Sequence, residues 1–168
     1  MQVIQNKQQI TEEEHKIFSA HMMRWFDHGS AVNLPEKDDF KYGDILMPYR
    51  VMATLEDGRV KYHEAGDQLE RLYGAPVSGK YADELYNKWF SKIALQNYSK
   101  SMDTKSPVYE SRQISTIIKK IGYEKLILPI GTGDDVSSFI TYILPLSKEI
   151  RTRKDWQDMV DQTPWLGA

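Results

Sequence analysis

The sequence predicts an α+β fold, an antiparallel sheet with helices on one face, led by an N-terminal amphipathic helix. Two observations carry this. Apolar residues alternate with period two from residue 45 to about residue 64 and again after Pro107, while residues 67–104 between them keep a helical period. Two strands, a helical block and three further strands then close as an antiparallel sheet with helices on one face.

Residues 1–10 are polar and read as a fraying end. In "TEEEHKIFSAHMMRWFDHG", Thr11 and Glu14 have capping-box spacing, and the acidic first turn suits the positive end of the helix dipole. Ile17, Phe18, Met22, Trp25 and Phe26 recur at helical spacing, and Gly29 is a natural stop. This apolar face is wide enough to bury against a second copy, which makes Phe18, Met22, Trp25 and Phe26 the candidate dimer interface. A helix that caps its own sheet is the alternative. "SAVNLPEKDDFKYGD" reads as a loop that joins this helix to the main body.

"ILMPYRVMATL" places Tyr49, Val51, Ala53 and Leu55 on one face of a strand, and "VKYHEAG" returns with Val60, Tyr62 and Glu64 alternating. Asp57-Gly58 between them is a hairpin signal. In "DQLERLYG", Asp67 is the helix cap, Glu70 follows at the right spacing and Gly74 is the stop. A second helix, capped near Ser78, runs through "SGKYADELYNKWFSKIALQNYSKSM" with Leu85, Trp89 and Ile93 on one stripe and Phe90 and Ala94 beside it. "VYESRQISTI", "GYEKLILPIG" and "VSSFITYILPL" are the remaining strands, the last two joined by the turn "GTGDD". The tail from Lys148 carries a further helical pattern. The organisation is an extension (1–33), a main domain (34–147) and a tail (148–168).

Composition narrows function. The net charge is −2 over 168 residues, so no global field draws the chain to nucleic acid or to an anionic membrane. There is no cysteine, which removes disulfides, cysteine-ligated metals and thiol catalysis and fits a reducing compartment. No apolar run approaches the ~18 residues of a membrane span, and the start lacks the pattern of a signal peptide. A cytoplasmic protein is the simplest expectation.

"GAPVSGKY" matches the G-x-x-x-x-G-K core of a phosphate loop at Gly74, Gly79 and Lys80. The context argues against one. A charged helical stretch precedes it where a buried strand is needed, Pro76 removes a backbone donor, and Tyr81 stands where a magnesium ligand belongs. Of the four histidines, His15 and His21 are six apart and miss the spacing of a helical zinc site. His63, Glu64 and Asp67 crowd ionisable groups beside Gly66 and form the one acid/base candidate. Adjacent strand residues point to opposite faces, which favours ordinary polar roles for them.

A further pattern runs through "LERLYGAPVSGKYADEL". Leu72-Tyr73-Gly74 end one helix, and Gly79-Lys80 open another that holds Glu84-Leu85. Gly66 precedes the first helix, an arginine stands in the first strand, and Tyr123, Glu124, Leu126, Leu128, Pro129, Gly131 and Gly133 follow in one late strand and its turn. From about Leu34 to Leu146 this order resembles the PAS (Per-Arnt-Sim) sensory fold, in particular short stand-alone PAS proteins of alphaproteobacteria; "YHEAG" departs from the pattern. The resemblance implies a five-stranded antiparallel sheet with helices over one face, a cavity for a small ligand, and dimerisation through an N-terminal helix. No cofactor follows from it: covalent flavin and thioester-linked chromophores need a cysteine, and residues 84–104 hold no histidine for haem.

The function expected is a non-enzymatic sensory or protein-interaction module. Its pocket candidates are Tyr62, Leu72, Tyr73, Leu85, Trp89, Phe90, Leu128 and Tyr142, each of which also fits plain core packing. Its partners would be a small-molecule ligand, a second copy and a separate signalling protein. A small enzyme built on His63, Glu64 and Asp67 is the alternative.

Overall fold

The structure is a computed structural model that describes residues 2–4, 12–40, 47–73, 76–85, 88–115 and 120–145, with side chains at 2–4, 12–19, 72, 73, 89, 111–115, 120–122 and 145 left aside. Asp57 and Gly58 both take positive φ, 53° and 73°, as a two-residue hairpin turn requires. They join β2 (Arg50–Glu56) to β3 (Arg59–His63). The other strands are β1 (Gln2–Ile4), β4 (Val108–Ser115), β5 (Lys120–Thr132) and β6 (Asp135–Pro145), and all pair antiparallel in the order β1-β4-β5-β6-β2-β3. This is the α+β class that the sequence predicts, and the five-stranded antiparallel sheet implied by the motif resemblance is enlarged by one strand. The added strand corrects the expectation of a frayed start, because Val3 pairs with Ile114 at the edge of β4.

Register sorts the sheet into two faces. Val108, Ile127, Thr141 and Val51 form one cross-strand row, and Tyr109, Leu126, Tyr142 and Arg50 form the next, pointing the other way. The first face lies under α4 (Lys88–Thr104): Tyr98 Oη and Thr141 Oγ1 share a hydrogen bond of 2.6 Å, and the Tyr98 ring meets Phe139 edge-on at 5.2 Å. Phe90, Ala94, Tyr98 and Ser101 are the buried stripe of α4. The expected stripe through Leu85, Trp89 and Ile93 is therefore turned by about one residue, with Phe90 and Ala94 at its centre.

The opposite face carries α1 (Glu12–His28). The His21 ring packs edge-on against Tyr142 at 4.6 Å, and Trp25 is 1% exposed with its indole N–H donating to Pro129 O at 2.6 Å. Trp25 thus corrects one expectation: its burial is complete within its own chain, because the sheet face offers both an apolar bed and a carbonyl acceptor. Met22 packs partly on the same core, Phe26 stays 53% exposed, and the side chain of Phe18 lies outside the described residues.

Between β3 and β4 run α2 (Asp67–Tyr73), α3 (Ala82–Leu85) and α4. Gly66 stands where the chain enters α2, and a Cβ there would lie 2.4 Å from the carbonyl oxygens of Met47 and Pro48. Its N–H donates to Arg50 O at 2.7 Å, tying α2 to the start of β2. Gly74 and Ala75 lie outside the described residues, but the rest of "GAPVSGKY" is a turn. Lys80 N donates to Val77 O, and Gly79 takes φ 84°, the value a type II turn demands at its third position. Gly79 N donates to Tyr62 O and Tyr62 N to Lys80 O, so the turn bonds along the edge of β3. Ser78 sits in this turn rather than capping a helix. The cap belongs three residues later, where Tyr81 N donates to Glu84 Oε2 and Glu84 N to Tyr81 O ahead of α3. The tail 148–168 lies outside the described residues.

Docking of α1 is testable on stability. Trp25→Ala is expected to cost about 3–5 kcal/mol, as for other buried tryptophans, and Phe26→Ala to stay within about 0.5 kcal/mol at low protein concentration. Urea unfolding followed by far-UV circular dichroism measures both.

Candidate functional site

The face of the sheet beneath α4 is not uniformly apolar. Glu110 of β4 and Lys125 of β5 are cross-strand partners on this face, and both are buried. The Glu110 carboxylate accepts from Asn97 Nδ2 of α4 and from the phenol of Tyr123. Lys125 Nζ lies 5.3 Å from the centroid of the Tyr98 ring, within cation–π range. Tyr98 in turn bonds to Thr141 and meets the Tyr62 ring edge-on at 6.4 Å. Asn97, Tyr98, Glu110, Tyr123, Lys125 and Thr141 therefore form one polar cluster beneath α4, drawn from three strands and a helix.

Burying a carboxylate and an ammonium costs several kcal/mol each unless they are paired and bonded. Here the strand period forces them inward. Tyr123 and Lys125 alternate with Glu124 and Leu126, so the face that holds Ile127 and Pro129 must also hold Lys125. Two acceptor oxygens of Glu110 each receive a donor, and the aromatic face of Tyr98 receives the lysine. The arrangement can hold a proton, orient a small polar group, or exchange an internal hydrogen bond for one to a ligand.

The residues expected in a pocket divide between the two faces. Tyr62 and Phe90 are buried on the α4 side, and Leu85 packs partly against the core. Leu128 pairs with Ile140 and Tyr142 with Leu126, which turns both toward the α1 side. They cannot line one cavity with Tyr62, because a sheet separates them. The side chains of Leu72, Tyr73 and Trp89 lie outside the described residues. Six residues of the polar cluster escaped the sequence-based expectation. The signal that could have found them is the presence of Glu110 and Lys125 in strands otherwise rich in buried apolar positions.

His63, Glu64 and Asp67 do not converge. His63 Nε2 bonds Thr54 Oγ1 at 2.9 Å on the sheet, Glu64 accepts from Lys37 Nζ at 2.6 Å, and Asp67 Oδ1 accepts from Gln68 N at the start of α2. Each has a structural partner of its own. The Lys37 hydrogen bond holds the Glu64 carboxyl below its ordinary value, with the charges of Lys37, Arg50 and His63 acting in the same direction against a smaller cost of burial. A separate cleft of about 300 Å³ opens where residues 36–38 cross the β5–β6 hairpin, lined by Glu36, Asp38, Thr132 and Ser138 among others. It is shallow and already bridged by the backbone bond from Gly131 N to Pro35 O. Among the described residues no group of three or more His, Asp or Glu side chains could hold a metal ion, and no helix is long and apolar enough to cross a membrane.

No protein-family model matches the sequence, and no curated protein matches it. Among solved structures, the PAS domain of BvgS from Bordetella pertussis is similar at 14% identity with a TM-score of 0.37, covering 68% of this chain and 88% of that one. An RNA-binding light-oxygen-voltage receptor is similar at 13% identity with a TM-score of 0.46, covering 96% of this chain and 42% of that one.

Two outcomes follow from the site. Asn97→Ala removes a donor from a buried carboxylate and is expected to cost about 1–3 kcal/mol in urea unfolding. Glu64 contributes stability that is complete above the ordinary carboxyl value of 4.5 and is lost as pH falls through its lowered folded value. Lys37 and Glu64 are 46% and 59% exposed, so solvent screening limits the contribution to at most about 1 kcal/mol. Carboxyl NMR titration is expected to show Glu64 return toward its ordinary value in Lys37→Met.

Proposed function

We propose that this chain is a non-enzymatic sensory or regulatory module of the PAS type, which holds a small polar ligand beneath α4 and passes the event to a separate signalling protein. The observation that carries this reading is the cluster of buried Glu110, Tyr123 and Lys125 with half-buried Asn97 between helix and sheet. Convergent polar groups set in an apolar interior are how binding sites fix the orientation of a ligand. Buried ionisable groups also cluster at functional sites more than elsewhere. The divided placement of His63, Glu64 and Asp67 favours a sensory role over acid/base catalysis.

The exposed side of α1, with Met23 and Phe26, is the surface proposed for a second copy or for the signalling partner. A cytoplasmic location agrees with the lack of cysteine, and the net charge of −2 agrees with a partner other than nucleic acid or membrane.

Native mass spectrometry and thermal shift against a library of small polar metabolites test the ligand. A binder is expected to raise the melting temperature of the wild-type chain, and Glu110→Gln to weaken that binder about tenfold, the loss of one charge-assisted hydrogen bond. A library with no binder, or a binder indifferent to Glu110→Gln and Asn97→Ala, overturns the proposed site.

A further inference from the structure

The same dipeptide, Tyr-Glu, stands in each of two paired strands: Tyr109-Glu110 in β4 and Tyr123-Glu124 in β5. The two copies bond crosswise. The Tyr109 phenol donates to Glu124 on the α1 side of the sheet, and the Tyr123 phenol donates to Glu110 on the α4 side. Each bond is a diagonal one: the direct partner of Tyr109 is Leu126 and that of Tyr123 is Arg112, two positions from the glutamate each reaches.

We propose that these crossed pairs act as a single latch that couples the α4-covered face of the sheet to the α1-covered face. Tyr109 and Glu110 are neighbours on one strand, as are Tyr123 and Glu124 on the other. A slide or twist of β4 against β5 that lengthens one bond must therefore displace the other, although they lie on opposite sides of the backbone. Both carboxylates are buried, Glu124 completely, so neither can exchange its phenol for bulk water without cost. Each end of the latch is tied to a helix. On one side Asn97 of α4 shares Glu110. On the other, Tyr109, Leu126 and Tyr142 lie in one row that passes under His21 of α1, and Trp25 holds the Pro129 carbonyl of β5. The coupling belongs to the unliganded chain and stands or falls apart from the proposed ligand.

A double-mutant cycle tests it. Tyr109→Phe, Tyr123→Phe and the pair are compared by urea unfolding, with Tyr98→Phe in place of Tyr123→Phe as the control. Tyr98 lies on the same face as Tyr123 but bonds to β6. The unfolding constant of the Tyr109/Tyr123 double variant is expected to differ from the product of the single effects by at least about threefold, while the control cycle multiplies within about twofold. Should the double variant not fold, the Trp25 indole resonance in nitrogen-15 NMR decides, assigned with Trp25→Phe. Tyr123→Phe is expected to shift it and Tyr98→Phe to leave it in place. Multiplication within about twofold in the first cycle, or a Trp25 resonance indifferent to Tyr123→Phe, overturns the latch.

Discussion

The burial of charge in the β4–β5 ladder is the constraint on which the rest of this structure depends. Glu110, Lys125 and Glu124 are all removed from water in two neighbouring strands. A desolvated carboxylate is tolerable only when donors reach it, and the phenols of Tyr123 and Tyr109 do so. Those bonds specify register as well as satisfaction. A one-residue slip would turn every one of these side chains to the wrong face, leaving carboxylates without donors as well as apolar groups in water. Apolar packing alone would penalise such a slip less sharply.

Charge can be buried on both sides of one sheet only because both sides are covered. The helix α4 closes one face through Phe90, Ala94 and Tyr98, and α1 closes the other through Trp25. The connection between them is fastened independently of either helix. Leu34 N donates to Gly133 O at 2.7 Å, and Gly131 N donates to Pro35 O at 3.0 Å, so the segment after α1 runs against the β5–β6 hairpin. Phe40, at the end of the same segment, is buried. Among the described residues, the centre of the sheet is thus covered on both faces.

The edge of β3 shows how a misleading motif acquires a structural purpose. An unpaired edge is a template for unwanted association. Here Val77–Tyr81 bonds along it: Tyr62 exchanges hydrogen bonds with Gly79 and Lys80, and Arg59 pairs with Asp83 while lying over the Tyr81 ring at 3.7 Å. The Asp83 bond holds the Arg59 proton more tightly than usual, and the guanidinium holds the Asp83 carboxyl below its ordinary value. The glycine that resembles part of a phosphate loop is needed for its positive φ. The tyrosine in the magnesium-ligand position is needed as an aromatic surface.

The sequence by itself determined the α+β class, the two-then-three strand order, the Asp57-Gly58 hairpin and the helical block, because period, turn residues and caps act over a few neighbouring residues. Tertiary structure alone decided what covers each face. The apolar stripe of α1 reads equally as a dimer surface or as a lid on its own sheet, and only the carbonyl of Pro129, 104 residues away, selects the second for Trp25. Likewise period two shows that Tyr62 and Tyr142 face one side of a strand, but not that the sides are opposite. That depends on cross-strand register, a long-range property. The polar cluster was hidden for the same reason: Glu110 and Lys125 are ordinary charged residues in isolation, and they become a site only where β4, β5 and α4 bring them together out of water.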